Sequence, residues 1–407
     1  MAEELVVWLY GLRVAIIDQD RRRRPVLAYT PDALAAFEAG TPLLSMTLPL
    51  RPERFPQGVV KAFLDGLLPE GDTRRAIAED LGLLSDDTYG LIRALGRDCA
   101  GAVVIQPADT SASPPSTTVT AERLDDDGLA ELIGNLRTAP LGVGGRVRVS
   151  LAGVQEKLLL TRRPDGRWGS PVDGTPSTHI LKPEIRGYPH TVDNEAFCMR
   201  VARHLGLPVA DVETITVQGR AVIVVSRYDR TVDPVGHVER MHQEDLCQAT
   251  GNPPAKKYQE AGGPSLRTIA RLLSDVDPNS LTTLLQAVTL HVLVGNGDAH
   301  AKNYSLLHEP SGAVRLAPLY DVMSTLSYGD DRLAMSIDDV TRSNQVTLPR
   351  IVNEAASWGI SRTRASSIVV ALLEKVPAAI AAARAETPGL PDDITAIVSA
   401  QLGRLRT

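Results

Sequence analysis

Val294-Gly295-Asn296-Gly297-Asp298-Ala299-His300-Ala301-Lys302-Asn303 is the stretch from which the rest of the chain takes its meaning. An apolar run, Leu284 to Val294, leads into it, and Gly295 and Gly297 break that run. Behind the glycines stand a carboxylate, an imidazole, an ammonium and a carboxamide. Phosphoryl transfer needs such a set: a carboxylate to accept a hydroxyl proton and an amide oxygen to help hold magnesium. The Asp298-to-Asn303 interval equals the Asp-to-Asn interval of the catalytic-loop pattern H-R-D-x-x-x-x-N. A second carboxylate follows in Tyr320-Asp321-Val322, after the apolar run Val314 to Leu319, where a second metal-binding Asp would stand. Gly-Asn-Gly-Asp also reads as an ordinary loop of turn formers. The remainder of the chain has to decide between the two.

The 407 residues suit two or three domains with ample length for a buried core. Composition is ordinary for a globular protein. A net charge of −6 leaves no footprint for unaided binding to nucleic acid or to an anionic membrane. The start, MAEELVVWLYGL, lacks the basic segment and cleavage site of a secretory signal. The apolar run near Leu284–Val294 is too short to span a bilayer. Cys99, Cys198 and Cys247 lie far apart with no zinc-like spacing, which suits a cytoplasmic protein with reduced thiols.

Leu5–Gln19 reads as strands with Gly11 at a turn. Arg21–Arg24 reads as a solvated hairpin tip resuming at Val26–Tyr29, with phosphate contact as the other reading. A short helix is expected over Pro31–Gly40 and a strand over Leu43–Leu50. Helices follow at Gly58–Leu67, at Asp72–Leu81 with Asp72 as N-cap, and at about Asp86–Leu95. A strand, Ala102–Ile105, closes this region, and nothing in it looks catalytic. Pro107-Ala-Asp-Thr-Ser-Ala-Ser-Pro-Pro-Ser-Thr-Thr118 is a linker of small polar residues and prolines. The expected division is an N-terminal subdomain (1–107), a linker (108–122), a β-rich lobe (123–229) and a helical lobe (230–407). No internal repeat of useful length appears.

The β-rich lobe carries Gly142-Val-Gly-Gly-Arg-Val-Arg-Val-Ser150-Leu-Ala-Gly-Val-Gln-Glu-Lys157, a glycine-rich approach and a small-residue turn between strands. Such a turn can bring N–H groups to phosphate oxygens; it can equally be a plain hairpin. His179-Ile-Leu-Lys182-Pro183 reads as a strand ending in a lysine, the place of a phosphate-pairing lysine. A helix is expected over about Asn194–Leu205 with Asp193 as N-cap. Glu195, in its first turn, can pair with Lys182 or simply suit a helix N-terminus. Val212–Val217 and Ala221–Val225 form a hairpin, and Ser226-Arg-Tyr228-Asp-Arg230 follows where a hinge would meet adenine. Beyond it helical patterns dominate: Gln243–Thr250, Ser265–Leu273, Asn279–Val294, Arg350–Trp358, Arg362–Lys375 and about Pro391–Leu405.

Together these residues match a family. Ser150-Leu-Ala-Gly-Val-Gln-Glu-Lys157, His179-Ile-Leu-Lys-Pro183, Asn194-Glu195, Arg227-Tyr-Asp-Arg230, His242-Gln-Glu-Asp-Leu-Cys247, Gly295–Asn303 and Tyr320-Asp-Val322 fit its order and spacing. In the N-terminal part, Phe63-Leu-Asp-Gly-Leu-Leu-Pro-Glu-Gly71 is the best segment. The chain resembles HipA, the serine/threonine-kinase toxin of bacterial toxin–antitoxin operons. The resemblance implies an α+β, two-lobed protein-kinase-like fold: a β-rich N-terminal lobe with an added N-terminal subdomain, an all-helical C-terminal lobe, and ATP between the lobes. It implies Asp298 as catalytic base, assisted by His300 and Lys302 at the γ-phosphate, with Asn303 and Asp321 as Mg2+ ligands. It implies a phosphate loop of Ala152, Gly153, Val154, Gln155, Glu156 and Lys157, with Lys182 on phosphate.

Ser226 and Tyr228 would lie at the adenine hinge, where the family's Glu-Arg-Phe-Asp-Arg reads Ser-Arg-Tyr-Asp-Arg. Ser150 would be an autophosphorylation site whose dianion turns the kinase off. The implied substrate is an aminoacyl-tRNA synthetase, chiefly the glutamyl enzyme, and phosphorylating it would arrest translation. The implied partner is a HipB-like helix-turn-helix antitoxin, with DNA reached only through it and no membrane involved. Two other readings stay open: a small-molecule kinase, and a catalytically weak co-repressor acting with the antitoxin.

Overall fold

The computed structural model describes residues 4–110, 114–118, 121–136, 155–172, 174–234 and 236–406. Its N-terminal part is a four-stranded antiparallel sheet, in the order Pro25–Tyr29, Leu12–Gln19, Leu5–Leu9, Val104–Pro107. Helices Pro31–Ala36, Gln57–Leu67, Gly71–Asp80 and Thr88–Leu95 accompany it. Leu5, Val7, Ile17 and Leu27 meet Phe63, Leu64 and Ile92 in one core. Tyr10 and Gly11 both take positive φ between the paired Leu9 and Leu12, the two-residue turn that matches the twist of a hairpin. Arg21, Arg22 and Arg23 are exposed at the tip of the next hairpin, and Arg24 closes it on Asp20.

A six-stranded antiparallel sheet follows, in the order Ala121–Arg123, Trp168–Pro171, Leu158–Arg162, His179–Pro183, Arg220–Ser226, Val212–Val217. Its strands alternate their side chains between two faces. Leu158, Leu160, Leu181, Val222 and Val224 pack on the helix Asp126–Gly134. Ile223 and Val225 face the helix Thr191–His204 and join the large core of the C-terminal half. That half is built on helices Leu266–Val276, Ser280–Val294, Leu348–Ser357, Arg362–Ala385 and Asp392–Arg406. The structure adds a three-stranded sheet, His242–Asp245, Ser305–His308 and Val314–Leu316, and a hairpin, Arg332–Ile337 with Val340–Arg342. Helix Arg362–Ala385 is long and apolar enough to cross a membrane; here Ala365, Val369, Leu372 and Val376 bury one face in the core.

Helix Ser280–Val294 is buried on nearly every side, which is why its apolar residues go round the helix rather than forming one stripe, with Thr282, Thr283 and Gln286 on the less buried side. It stops at Gly295, whose φ of 66° turns the chain left-handed and delivers the next residues to the cleft.

Several local expectations are corrected. Residues 43–50 are not a strand: Gly40 donates to Leu50 O and Leu50 to Thr41 O, closing a loop that buries Leu43, Leu44, Leu48 and Leu50. Alternating leucines serve a packed loop as well as a strand. Residues 243–250 are not one helix. A strand, His242–Asp245, pairs with Ser305–His308, and Asp245 then caps the short helix Leu246–Ala249 reciprocally with Gln248. Asp72 and Asp193 are not N-caps. Their helices begin earlier, after Glu70 and His190, and both aspartates sit in first turns, where a carboxylate suits the positive helix end. The earlier start puts Glu195 on the second turn rather than the first.

Candidate active site

Lys182 comes from the strand His179–Pro183, held in register opposite Ile223. Glu195 comes from the helix behind that sheet. Asp321 follows Leu319, which the chain near Pro208–Ala210 grips through two backbone bonds. Lys182 Nζ lies 2.8 Å from Glu195 Oε1 and 2.6 Å from Asp321 Oδ1. Burial pulls the Lys182 ammonium down, but the two carboxylates outweigh it and hold it above the usual lysine range. Burial likewise works against Asp321, yet Lys182 brings its carboxyl down to about 2. For Glu195 burial dominates and the carboxyl is pushed up, only partly offset by Lys182. Asp321 takes φ 58°, which an L-residue adopts only under constraint.

The loop after Gly295 is tied at every step. Asn296 N donates to His291 O, and Asp298 N donates to Asn296 Oδ1 at 3.0 Å. Asn303 Nδ2 donates to Asp298 O at 2.8 Å, which leaves the Asn303 amide oxygen to serve another group. Gly297 sits so close to the Arg332 carbonyl that a β-carbon would lie 2.1 Å from it. Tyr258 OH donates to Asp298 Oδ1 at 2.5 Å. Burial raises the Asp298 carboxyl, and the Tyr258 bond opposes the rise. His300 is buried edge-on to Tyr258, ring centres 5.1 Å apart; burial, reinforced by Lys257, lowers its imidazole to about 3, so it is neutral at pH 7. Lys302 Nζ is held by Asp245 Oδ2 at 2.5 Å, with Glu70 Oε1 3.9 Å away.

The hinge segment divides its side chains. Tyr228 faces the cleft, hydrogen-bonds Gln243, and lies 5.8 Å from the Tyr320 ring. Arg227, Asp229 and Arg230 turn the other way, into a buried network with Asp98 and Ser177. Arg230 Nη2 is 2.9 Å from Asp98 Oδ1, and Gly101 N donates to Asp229 Oδ2 at 2.7 Å. That network bolts the hinge to the N-terminal part.

A cavity of about 820 Å³ opens between the lobes. It is lined by Lys157, Lys182, Ser226, Tyr228, Asp298, His300, Lys302, Asn303 and Asp321, so residues remote in sequence share one space of nucleotide size. Gln155 and Glu156 line it as well, whereas Ser150, Ala152, Gly153 and Val154 lie outside the described residues. Burial, then the neighbouring Lys182, brings the Lys157 ammonium down to about 8. Among the described residues no three His, Cys, Asp or Glu side chains form a ready metal cage. Magnesium does not need one: it takes one or two carboxylates and completes its shell with water and phosphate. The Asp321 carboxylate, engaged by Lys182 through one oxygen, and the Asn303 amide oxygen are hard donors of that kind.

Glu70, Lys257 and Tyr258 were not expected in the site. Glu70 comes from the N-terminal part, in which nothing looked catalytic, and reaches Lys257 Nζ at 3.4 Å. Its signal was the Pro69-Glu70-Gly71 turn within a segment already singled out for its match. Tyr258 carried none beyond an aromatic residue near Gly262-Gly263.

Fold and cleft define a class, a two-lobed enzyme of the protein-kinase kind. Known proteins agree. Residues 149–380 match the HipA-like C-terminal domain and residues 5–106 the HipA N-terminal domain. A putative kinase, Y4mE, of Sinorhizobium fredii is 40% identical over 87% of this chain and 84% of its own. The serine/threonine-protein kinase toxin HipA of Shewanella oneidensis is 32% identical over 84% of this chain and 81% of its own. A solved complex of Shewanella oneidensis HipA with HipB and operator DNA superposes with a TM-score of 0.83 at 30% identity, covering 98% of this chain and 95% of that one. The chain belongs to the HipA family of serine/threonine-kinase toxins, and it is a kinase.

Proposed function

We propose that this kinase transfers the γ-phosphoryl group of Mg-ATP to a serine or threonine hydroxyl of a protein. Asp298 accepts the hydroxyl proton as the new O–P bond forms and the β–γ bridge breaks, releasing ADP. Lys182 holds phosphate oxygens, the segment Ala152–Lys157 covers them, and Ser226 and Tyr228 flank the adenine. His300 and Lys302 act beside the γ-phosphate, His300 as a neutral imidazole. Asn303 and Asp321 hold magnesium, which when bound neutralises charge on the phosphate oxygens. The substrate is an aminoacyl-tRNA synthetase, first of all the glutamyl enzyme, whose modification arrests translation. Phosphorylation of Ser150 switches the kinase off by setting a dianion beside the phosphate loop. A HipB-like antitoxin is the partner, and DNA is met only through it.

The observation that carries the reading is the double engagement of Lys182, on Glu195 and on Asp321, inside the cavity that also holds Asp298 and Asn303. The test is phosphoproteomics after brief expression of wild type and Asp298→Asn. A synthetase phosphosite and a Ser150 phosphosite are expected with wild type alone. Label appearing in small molecules and not in protein, or equal toxicity of the two forms with no label in either, would overturn it.

A further inference from the structure

As the base, Asp298 has two carboxylate oxygens, and only one of them can meet the acceptor hydroxyl at a time. The backbone of Asp298 is already fixed by Asn296 and Asn303. The bond from Tyr258, 2.5 Å to Oδ1, acts on the carboxylate alone. Tyr258 is itself held from three directions. Gly263 N and Ala261 N both donate to Tyr258 O, in a turn so tight that a β-carbon on Gly263 would lie 2.1 Å from Lys256 O. Ala301 N donates to Lys257 O at 3.1 Å, tying this loop to the catalytic one. Gln259 accepts from Ser336 N at 2.9 Å, on the hairpin whose Arg332 carbonyl packs against Gly297. Neighbouring Lys257 meets Glu70 of the N-terminal part. The phenol therefore stands on a frame that moves with the loop it serves.

We propose that Tyr258 is a positioning residue: it pins Asp298 through Oδ1, so that Oδ2 is the atom presented to the acceptor hydroxyl. The inference rests on Asp298 being the base. Burial and the Asp298 charge raise the Tyr258 phenol, so it stays a donor at working pH and does not take the proton itself. A free carboxylate samples rotations about its Cβ–Cγ bond; one held by a charge-assisted bond does not.

Tyr258→Phe deletes the hydroxyl and keeps the ring against His300. Its kcat for protein phosphorylation is expected to fall between about tenfold and a hundredfold, with KM for ATP within about twofold of wild type. A merely structural tyrosine would move nucleotide binding and melting temperature along with kcat. A difluorotyrosine placed at 258, whose phenol ionises at lower pH, is the second probe: it keeps the bond in acid and loses the donor in alkali. Activity should then fall on the alkaline side where wild type holds. Wild-type kcat in the phenylalanine variant, or a wild-type pH profile in the fluorinated one, overturns the assignment. Asp298→Asn runs beside them. If it stays active the base itself is wrong; if it is dead while both Tyr258 probes behave as wild type, the positioning role alone is wrong.

Discussion

Replacing Lys182 with methionine keeps most of the side chain's length and removes its terminal ammonium. Glu195, 2% exposed, then stands in the core without the ammonium that lay 2.8 Å away. Breaking a buried ion pair from one side costs about 3–5 kcal/mol. A carboxyl can limit that loss by taking a proton. In the unfolded chain a glutamate ionises near pH 4.3, so protonating it at pH 7 costs about 1.36 kcal/mol over each of about 2.7 units, roughly 3.7 kcal/mol. At pH 5 the same ceiling is about 1 kcal/mol. Asp321 loses a partner too, but its side chain keeps 38% of its exposure and solvent screens it. In the variant the folded Glu195 pKa lies above the unfolded one, so unfolding releases a proton. The variant's stability is therefore greatest in acid and drains away as pH rises.

Denaturant unfolding of both proteins without nucleotide, at pH 5.5 and 7.5, measures it. The deficit of Lys182→Met relative to wild type should grow between those two values by less than about 2.7 kcal/mol, because the wild-type Glu195 carboxyl is already pushed up and shares part of that pH dependence. A deficit that is the same at both, or one under about 0.5 kcal/mol at pH 7.5, refutes the account of this pair.

Other perturbations follow from the same geometry. Gly297→Ala should cost about 1–3 kcal/mol by overpacking against the Arg332 carbonyl and should cut kcat more than tenfold, read by unfolding and by turnover. Asp98→Asn leaves Arg227 and Arg230 to share the single Asp229 carboxylate and takes the ion-pair partner from Arg240, in the joint between hinge and N-terminal part, and should destabilise by about 3 kcal/mol or more in denaturant titrations. Lys157, brought down to about 8, is charged below that pH, and a bound phosphate favours its protonated form. ATP affinity measured by titration should hold up to pH 8 and weaken above it, and Lys157→Met should lack that dependence.

The parts legible in the sequence are those where chemistry and spacing coincide in a short stretch. Asp298 and Asn303 stand behind two glycines at the end of an apolar helix, and Lys182 and Asp321 each close an apolar run. Helix Ser280–Val294 announces itself as a predominantly apolar segment because it is wrapped on nearly every side. What stayed hidden depends on contacts between distant segments. Glu70 and Tyr258 matter because of what folds against them: Glu70 stands in a matching segment that carries no sign of its role, and Tyr258 in no pattern at all. The hinge shows the same limit. Ser226 and Tyr228 were read toward the cleft, while the role of Arg227, Asp229 and Arg230 needed Asp98, far back in the N-terminal part, to be visible. Residues 43–50 misled because a loop that buries alternate leucines imitates a strand.

The claim beneath all of this is that Lys182, Asp298, Asn303 and Asp321 surround one nucleotide. Titration calorimetry of ATP into phosphatase-treated protein, with magnesium and with chelator, tests it most directly. One site per chain is expected, tightened by magnesium in wild type and no longer tightened in Asp321→Asn. Absence of binding heat in wild type, or an undiminished magnesium effect in Asp321→Asn, would contradict it.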